Sequence, residues 1–479
     1  MADFVYLSFV RLPSVLEGFF VLQIFRKGHL PRRGTGDPQT DSYCLQERAA
    51  EMETDRKNLE QMWKEEEKER EEKRKEAYAA YRRECRGREE GARRAAWEKL
   101  EKLLLEAGLA SETVMRKASE RWDSIAKPIC GLGKLETAVS RIAGMTGKLS
   151  VTVNRPALVT MCGDHGVVAE GVTQTGKEVT RIVAENFAAK KACVTIMADV
   201  AGMDVFPVDM GMDTEHYPDK ELRPFTLTDR KIARGTGNIA WEPAMTEEQC
   251  IRALLTGIGI VGELKEKGYD ILAAGEMGIG NTTSASALTA AILCRDAKEV
   301  TGRGAGLSGE GLERKVAAVD RALRRYLAEK ADREERENYE ENGSDMVFCP
   351  EGVRLLASLG GYEIAGMAGM FLGGAVYRMP ILADGFISSA AALAAVNILP
   401  AAADYLLASH QSKEPAGEMV LKALHADPFL CCDMCLGEGS GATAAIPILK
   451  MGAEVYHQMA TFSDIHVKQY EHYEEGEGL

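Results

Sequence analysis

The sequence has no clean apolar run long enough to span a membrane. Its most apolar stretch, Phe4 to Phe25, is interrupted by Arg11, Pro13 and Glu17, well short of the ~20 consecutive apolar residues a spanning helix needs. It also lacks the marks of a signal peptide, with no basic region before that stretch and no small-residue cleavage site after it. A cytoplasmic location without membrane association is the expectation. Positive charge is in deficit as well: 59 Lys and Arg face 73 Asp and Glu, a net charge of −14. A polyanion would be repelled over most of such a surface, so nucleic acid is not an expected partner, although a local basic pocket can still hold one phosphate. Paired cysteines are missing too. The 11 Cys are odd in number and irregularly spaced, which argues against a disulfide framework and for a reducing compartment. Cys431, Cys432 and Cys435 contain one C-x-x-C, but no second pair follows and His425 alone does not complete four ligands. They are expected to be small buried side chains on a strand end, with no metal. No Walker A lysine motif and no H-E-x-x-H occurs, which weakens nucleoside triphosphatase and zinc hydrolase readings.

What is present is a folding composition. Over 479 residues, 45% are hydrophobic and 28% charged, globular proportions with material for a large core. Residues 1–51 show no sustained period and carry the breaker-rich Pro31-Arg32-Arg33-Gly34-Thr35-Gly36-Asp37-Pro38, so a poorly structured extension is expected. Residues 52–117 form a charged helical extension, centred on Lys64-Glu65-Glu66-Glu67-Lys68-Glu69-Arg70-Glu71-Glu72. Sustained apolar a/d positions are missing there, so a solvated helix is preferred over a coiled coil.

Beyond about residue 118 the texture changes to short apolar runs alternating with Gly-rich turns and Ala-rich helical stretches, the pattern of βαβ units. Strands are expected at Ala157 to Cys162, Asp204 to Val208, Tyr269 to Ala274, Pro380 to Ala383 and Pro428 to Cys432. Helices are expected at Lys134 to Met145, Lys177 to Ala201, Thr282 to Cys294, Ala390 to Leu407 and Ala442 to Met459. The fold class is therefore α/β, with an open, mostly parallel sheet flanked by helices. Such a sheet binds ligands beyond the carboxyl ends of its strands.

Three segments at those ends carry chemistry. In Cys162-Gly163-Asp164-His165-Gly166-Val167, two glycines permit a sharp turn that points Asp and His into a crevice, against the plainer reading of a capped turn with a hydrogen-bonded His. In Ala274-Gly275-Glu276-Met277-Gly278-Ile279-Gly280-Asn281-Thr282-Thr283, a strand runs into a helix whose free N–H groups suit a phosphate. Leu436-Gly437-Glu438-Gly439-Ser440-Gly441 holds a carboxylate that an apolar ligand would desolvate, raising its pKa toward general-base use. A solvated turn Glu is the competing reading. Two G-x-G-x-x-G strings, Gly257 to Gly262 and Gly304 to Gly309, lack the strand-turn-helix context of a dinucleotide fingerprint and are read as decoys.

Taken in order, Lys127-Pro128 with Gly131-Leu132-Gly133-Lys134-Leu135-Glu136, Gly163 to Val167, Gly275 to Thr283, Gly361 to Gly369, Asp384-Gly385-Phe386 and Leu436 to Gly441 resemble one family. It is nicotinate-nucleotide dimethylbenzimidazole phosphoribosyltransferase, and the resemblance runs from about Arg121 to Ile465. The resemblance implies transfer of the 5-phosphoribosyl group of nicotinate mononucleotide to a benzimidazole nitrogen, without a cofactor, in a homodimer. It also implies a small helical domain built from both ends of the core, residues 118–148 and 437–466, around a large α/β domain, 149–436, with 467–479 left as an acidic tail.

By the same resemblance Glu438 is the general base, and Met277 and Leu436 contact the flat face of the azole. Glu276 orients substrate, while Gly278, Gly280, Asn281 and Thr282 seat the phosphate. Lys315 supplies local positive charge, and Asp384, followed by Gly385, holds ribose hydroxyls. A surface salt bridge for Lys315 and a turn cap for Asp384 remain open alternatives. Where many relatives have a Ser, a Tyr and a Gln around the base, this chain reads Val172-Thr173-Gln174-Thr175-Gly176-Lys177, so Thr173, Thr175 and Lys177 are base-site candidates and the acceptor is left open. Two other classes stay in view: a nicotinamide-dinucleotide oxidoreductase, from the two glycine strings, and a non-catalytic azole-binding scaffold.

Overall fold

Six short strands, every neighbouring pair parallel, form the sheet in the computed structural model, which describes residues 91–215, 227–337 and 348–472. They are β1 (Pro156–Gly163), β2 (Asp204–Gly211), β3 (Thr228–Asp229), β4 (Ile271–Met277), β5 (Ile381–Ala383) and β6 (Leu406–Ala408). Their spatial order is β3-β2-β1-β4-β5-β6. Every residue of β1 is buried, as a central parallel strand with both faces covered requires, which is why it reads as an unbroken apolar run. Ala157 pairs with Asp204 on one side and Leu272 on the other. The chain leaves β1 toward β2 and β3, then returns to place β4 on the opposite side of β1. That reversal opens a crevice beyond the carboxyl ends of β1 and β4.

Helix Glu247–Glu266 precedes β4 and begins with a reciprocal cap. Thr246 Oγ1 accepts the Gln249 N–H at 3.2 Å, and Gln249 Oε1 accepts the Thr246 N–H at 2.9 Å. It crosses helix Tyr362–Tyr377 at glycines. A Cβ on Gly257 would lie 2.0 Å from Gly366 O, and one on Gly369 would lie 2.2 Å from Leu254 O. The first G-x-G-x-x-G string is thus a close helix crossing.

Several boundaries differ from expectation. Ala390 to Leu407 is not one helix: helix Phe386–Ile398 stops before Pro400, a 3-10 turn covers Pro400–Tyr405, and β6 follows, because proline cannot continue the hydrogen-bond ladder. Lys177 to Ala201 divides into helices Glu178–Ala188 and Cys193–Ala201, with Lys190 left-handed between them. No strand forms over Pro428 to Cys432, where only Leu430 bridges to His410. Cys431, Cys432 and Cys435 are consequently exposed rather than buried.

The expectation of a solvated helix within residues 52–117 also needs correction where that stretch is described. Trp97, Leu100 and Leu104 of helix Gly91–Leu105 are buried and pack toward helix Glu247–Glu266, at the three- and four-residue spacing of an apolar stripe. The expected boundary near residue 117 falls inside helix Glu112–Ser124, whose first turn Ser111 caps by accepting the Val114 N–H. Residues 1–51, most of the charged helix and 473–479 lie outside the described residues.

The two ends of the core meet. Helices Lys134–Thr146 and Ser440–Gln458 pack together, Ile125 bridges antiparallel to Thr461, and the Trp122 and Tyr456 rings lie 5.1 Å apart. Among the described residues no helix is long and apolar enough to cross a membrane.

Candidate active site

Three strand ends and one turn converge on the crevice. From β4 comes Glu276, buried, with Oε2 accepting from Asn281 Nδ2 and Oε1 accepting the Glu438 N–H at 3.4 Å. Burial pushes its carboxyl up to about 8, and the charges of Glu363 and Asp384 push the same way, against the Asn281 hydrogen bond. Asn281 opens helix Asn281–Leu293, entered through Gly280 at φ +99. Gly278 has no room for a side chain, since its Cβ would lie 2.6 Å from Gly163 O.

The turn at Glu438 is held in a costly conformation. Gly437, Glu438 and Gly439 all have positive φ, 82, 61 and 93, and only glycine adopts that region freely. Asp384, at the end of β5, fixes it: its two carboxyl oxygens accept the N–H groups of Gly439 at 3.2 Å and Ala442 at 2.9 Å. It thereby caps helix Ser440–Gln458. Burial raises the Asp384 carboxyl, opposed by His410 beside it and by these amides. A Cβ on Gly275 would lie 2.6 Å from Glu438 O, so β4 packs directly against the turn. Glu438 itself is half-buried, and its Oε2 is buried with no hydrogen-bond partner among the described residues. Desolvation lifts its pKa and the Asp384 charge adds to the rise, while the Val194 amide works against it.

Lys315 reaches the same region from helix Gly309–Glu337. Only 1% exposed, it donates from Nζ to Thr282 Oγ1 at 2.8 Å and to Gly302 O at 3.1 Å, and burial lowers it to about 8. It makes no surface salt bridge among the described residues. Met277 is half-buried at the end of β4, and Leu436 is 54% exposed beside the turn. Gly385 lies against the His410 ring.

The structure therefore brings Glu276, Gly278, Gly280, Asn281, Thr282, Lys315, Asp384, Gly385 and Glu438 into one neighbourhood. On the loop that carries Thr173, Thr175 and Lys177, Thr173 Oγ1 donates to Thr175 O at 2.8 Å, and Lys177 Nζ pairs with Asp213 Oδ2 at 2.8 Å. Gln174, passed over in the sequence, ties this loop to Ala305 and Gly306 through Nε2. The second glycine string is no dinucleotide turn, yet it borders the site: a Cβ on Gly304 would lie 3.0 Å from Thr282 Oγ1 and 3.3 Å from Lys315 Nζ. Sequence reasoning also missed the partners of His165, which are Ser284 and Glu363. A lone Glu in the otherwise apolar Tyr362–Tyr377 was the available signal.

Fold and geometry together give an α/β protein with a crevice of buried carboxyls at the switch point of a parallel sheet, where such folds place their ligands. A family model described as Phosphoribosyltransferase matches residues 108–467. A relative from Ruminiclostridium cellulolyticum, named nicotinate-nucleotide dimethylbenzimidazole phosphoribosyltransferase, is 40% identical over 356 residues, 74% of this chain and 94% of the relative. One of the same name from Acetivibrio thermocellus is 39% identical over 357 residues, 74% of this chain and 95% of its own. The crystal structure of CobT from Thermus thermophilus superposes with a TM-score of 0.66 at 38% identity, covering 75% of this chain and 100% of that one. The chain belongs to this phosphoribosyltransferase family.

Proposed function

We propose that this chain transfers the 5-phosphoribosyl group of nicotinate mononucleotide to 5,6-dimethylbenzimidazole or a related azole, giving α-ribazole 5'-phosphate and nicotinate. Nicotinate leaves as a neutral-ring pyridine from a cationic glycosidic linkage, so no acid catalyst is required. As the bond to the anomeric carbon breaks, that carbon gains oxocarbenium character and one azole nitrogen attacks it. The other azole nitrogen must then lose its proton. Glu438 accepts it, and its unpartnered, desolvated carboxyl oxygen on a strained turn is the observation that carries this reading. An azole seated on Met277 and Leu436 would desolvate that carboxyl further.

The phosphate is assigned to the first turn of helix Asn281–Leu293, with Gly278, Gly280, Asn281 and Thr282 nearest and Lys315 supplying charge. Glu276 orients the substrate. Asp384 holds the turn and, with Gly385, is assigned to the ribose hydroxyls. Thr173, Thr175 and Lys177 are assigned to the outer rim of the base site. Residues 118–148 and 437–466 are assigned to a small helical domain against the large one, 149–436, and the working form to a cytoplasmic homodimer.

Turnover with nicotinate mononucleotide and a panel of azoles, comparing the parent with Glu438→Gln, tests the assignment. Nicotinate release should depend on the added base and fall at least about a hundredfold in the variant, with both substrates still bound. Equal turnover would remove Glu438 from the reaction, and binding without release in the parent would leave only a scaffold.

A further inference from the structure

The turn that presents Glu438 is packed from three sides, and on one of them stands a side chain with no task in the transfer as assigned above. On the β4 side a Cβ on Gly275 would lie 2.6 Å from Glu438 O, and on the β1 side one on Gly439 would lie 2.4 Å from Leu158 Cδ1. On the β5 side is His410, 3% exposed and two residues beyond the end of β6. Its backbone is tied to the end of β5. Ala383 pairs with Ala408, the Ser409 N–H donates to Ala383 O at 3.1 Å, and Ser409 Oγ donates to Asp384 O at 3.0 Å. Ser409 Oγ also lies 3.1 Å from His410 Nδ1. A hydroxyl has one hydrogen, and that one goes to Asp384 O, so Nδ1 supplies the hydrogen of the second bond and the ring is held in one orientation.

From there the ring reaches helix Ser440–Gln458. A Cβ on Gly441 would lie 1.9 Å from His410 Nδ1, and the three atoms nearest to it all belong to that ring. One on Gly385 would lie 3.5 Å from His410 Cε1. Gly441 is not among the residues of positive φ, so the imidazole, and not the backbone, is what a side chain there would meet. Asp384 joins the same two elements by attraction, through the amides of Gly439 and Ala442. Its hydrogen bonds draw the helix toward the end of β5, and the incompressible ring sets how near the helix comes.

We propose that His410 is a positioning residue: its imidazole, wedged between Gly385 and Gly441, spaces the end of β5 from helix Ser440–Gln458 so that Asp384 binds both turn amides and the Glu438 carboxyl stands where it takes the azole proton. It acts through the turn and not on the substrate, and that purpose rests on the transfer reading. Without the ring, the first turn of the helix is free to move toward β5 and carries with it Glu438, three residues before Gly441. A methyl group added on Gly441 pushes the turn the other way. Both changes misplace the base, while the phosphate seat, built from helix Asn281–Leu293 and Lys315, stays in place.

Nicotinate release by the full chain, in His410→Ala, Gly441→Ala and the double variant, tests this. Each single substitution should lower kcat at least about tenfold, the scale on which a misplaced catalytic group acts, with KM for both substrates within about twofold. Because the added methyl collides with the ring, Gly441→Ala should do no further harm on top of His410→Ala, and the double variant should be at least as fast as His410→Ala alone. In a Glu438→Gln background neither substitution should change turnover by more than about twofold, since the group they misplace is no longer the base. Unchanged kcat in both single variants, a double loss equal to the product of the single ones, a loss that persists in the Glu438→Gln background, or a change confined to KM overturns the proposal. Should one single variant fail to fold, the other, read with and without Glu438→Gln, still decides. Urea midpoints report the collision without turnover: Gly441→Ala should lower the midpoint of the parent and not that of His410→Ala. A parent that shows this coupling yet releases no nicotinate when an azole is added counts against the transfer reading alone.

Discussion

Replacing Glu276 with Gln should make the protein progressively more stable than its parent as pH rises. The carboxyl sits at about 8 in the fold against an ordinary 4.5, a difference of 8 − 4.5 = 3.5. Because the folded value is raised, the stabilising contribution is complete below 4.5 and is lost as pH climbs through 8: the unfolded chain releases its proton first. At 1.36 kcal/mol per pH unit the full cost approaches about 5 kcal/mol, of which about 3.5 kcal/mol accrues between pH 5 and pH 8. Glutamine keeps the shape. Its side-chain carbonyl still accepts from Asn281 Nδ2 or the Glu438 N–H, and it does not titrate. Urea unfolding of both proteins at pH 5, 6, 7 and 8 gives the difference directly, and groups the two proteins share cancel in it. Parallel stability profiles across that range would refute the reasoning, since they would mean that Glu276 is no harder to ionise folded than unfolded.

Glu438→Gly should raise stability by about 1 kcal/mol, because glycine occupies φ 61 without the side-chain penalty, while turnover falls at least about a hundredfold; equal or lower stability would show the turn to be unstrained. Gly369→Ala should cost about 1–3 kcal/mol or more, read as a lowered Tm, since its Cβ meets the Leu254 carbonyl at 2.2 Å and two helix backbones must part. Lys315→Met should raise the KM for nicotinate mononucleotide about tenfold or more and leave that for the azole within about twofold. In the parent the mononucleotide KM should rise as pH passes about 8, where the Lys315 ammonium loses its proton, and a flat profile would remove Lys315 from phosphate binding.

The parallel sheet was legible because β1, β2, β4 and β5 are short apolar runs ending in glycine-rich turns, and a buried parallel strand announces itself in that way. β6 was not, since Leu406–Ala408 is three residues long and continues an Ala-rich helix that only Pro400 interrupts. The buried stripe Trp97, Leu100 and Leu104 was hidden by the charged tract before it, although its spacing was there to be counted. At the site, glycines flanking a carboxylate drew attention to Glu276 and Glu438, and a strand-to-helix turn drew attention to Asn281 and Thr282. What one sequence does not carry is pairing across distance: Glu363 lies 198 positions from His165, and no local pattern joins them. The same holds for Gly304, dismissed with its glycine string, whose place beside Lys315 follows from the packing of helix Gly309–Glu337 and not from spacing.

The acidity of the crevice gives the proposed reaction its direction. Glu276, Glu363, Asp384 and Glu438 are gathered there, and burial makes three of them, Glu276, Asp384 and Glu438, reluctant to ionise. A cation placed among them draws out their ionised forms, because a nearby positive charge favours a carboxylate and the interior screens that attraction less than water does. Nicotinate mononucleotide brings a pyridinium, the transition state spreads positive charge over the ribose, and the first-formed product is a benzimidazolium. Each is drawn to the same wall, and the transition state most if the carboxylates lie nearest the anomeric carbon. Proton transfer to Glu438 then cancels the product's charge and the base's together. The attraction that held the ribose in place disappears with that step, so deprotonation completes the chemistry and weakens the hold on the product in one move.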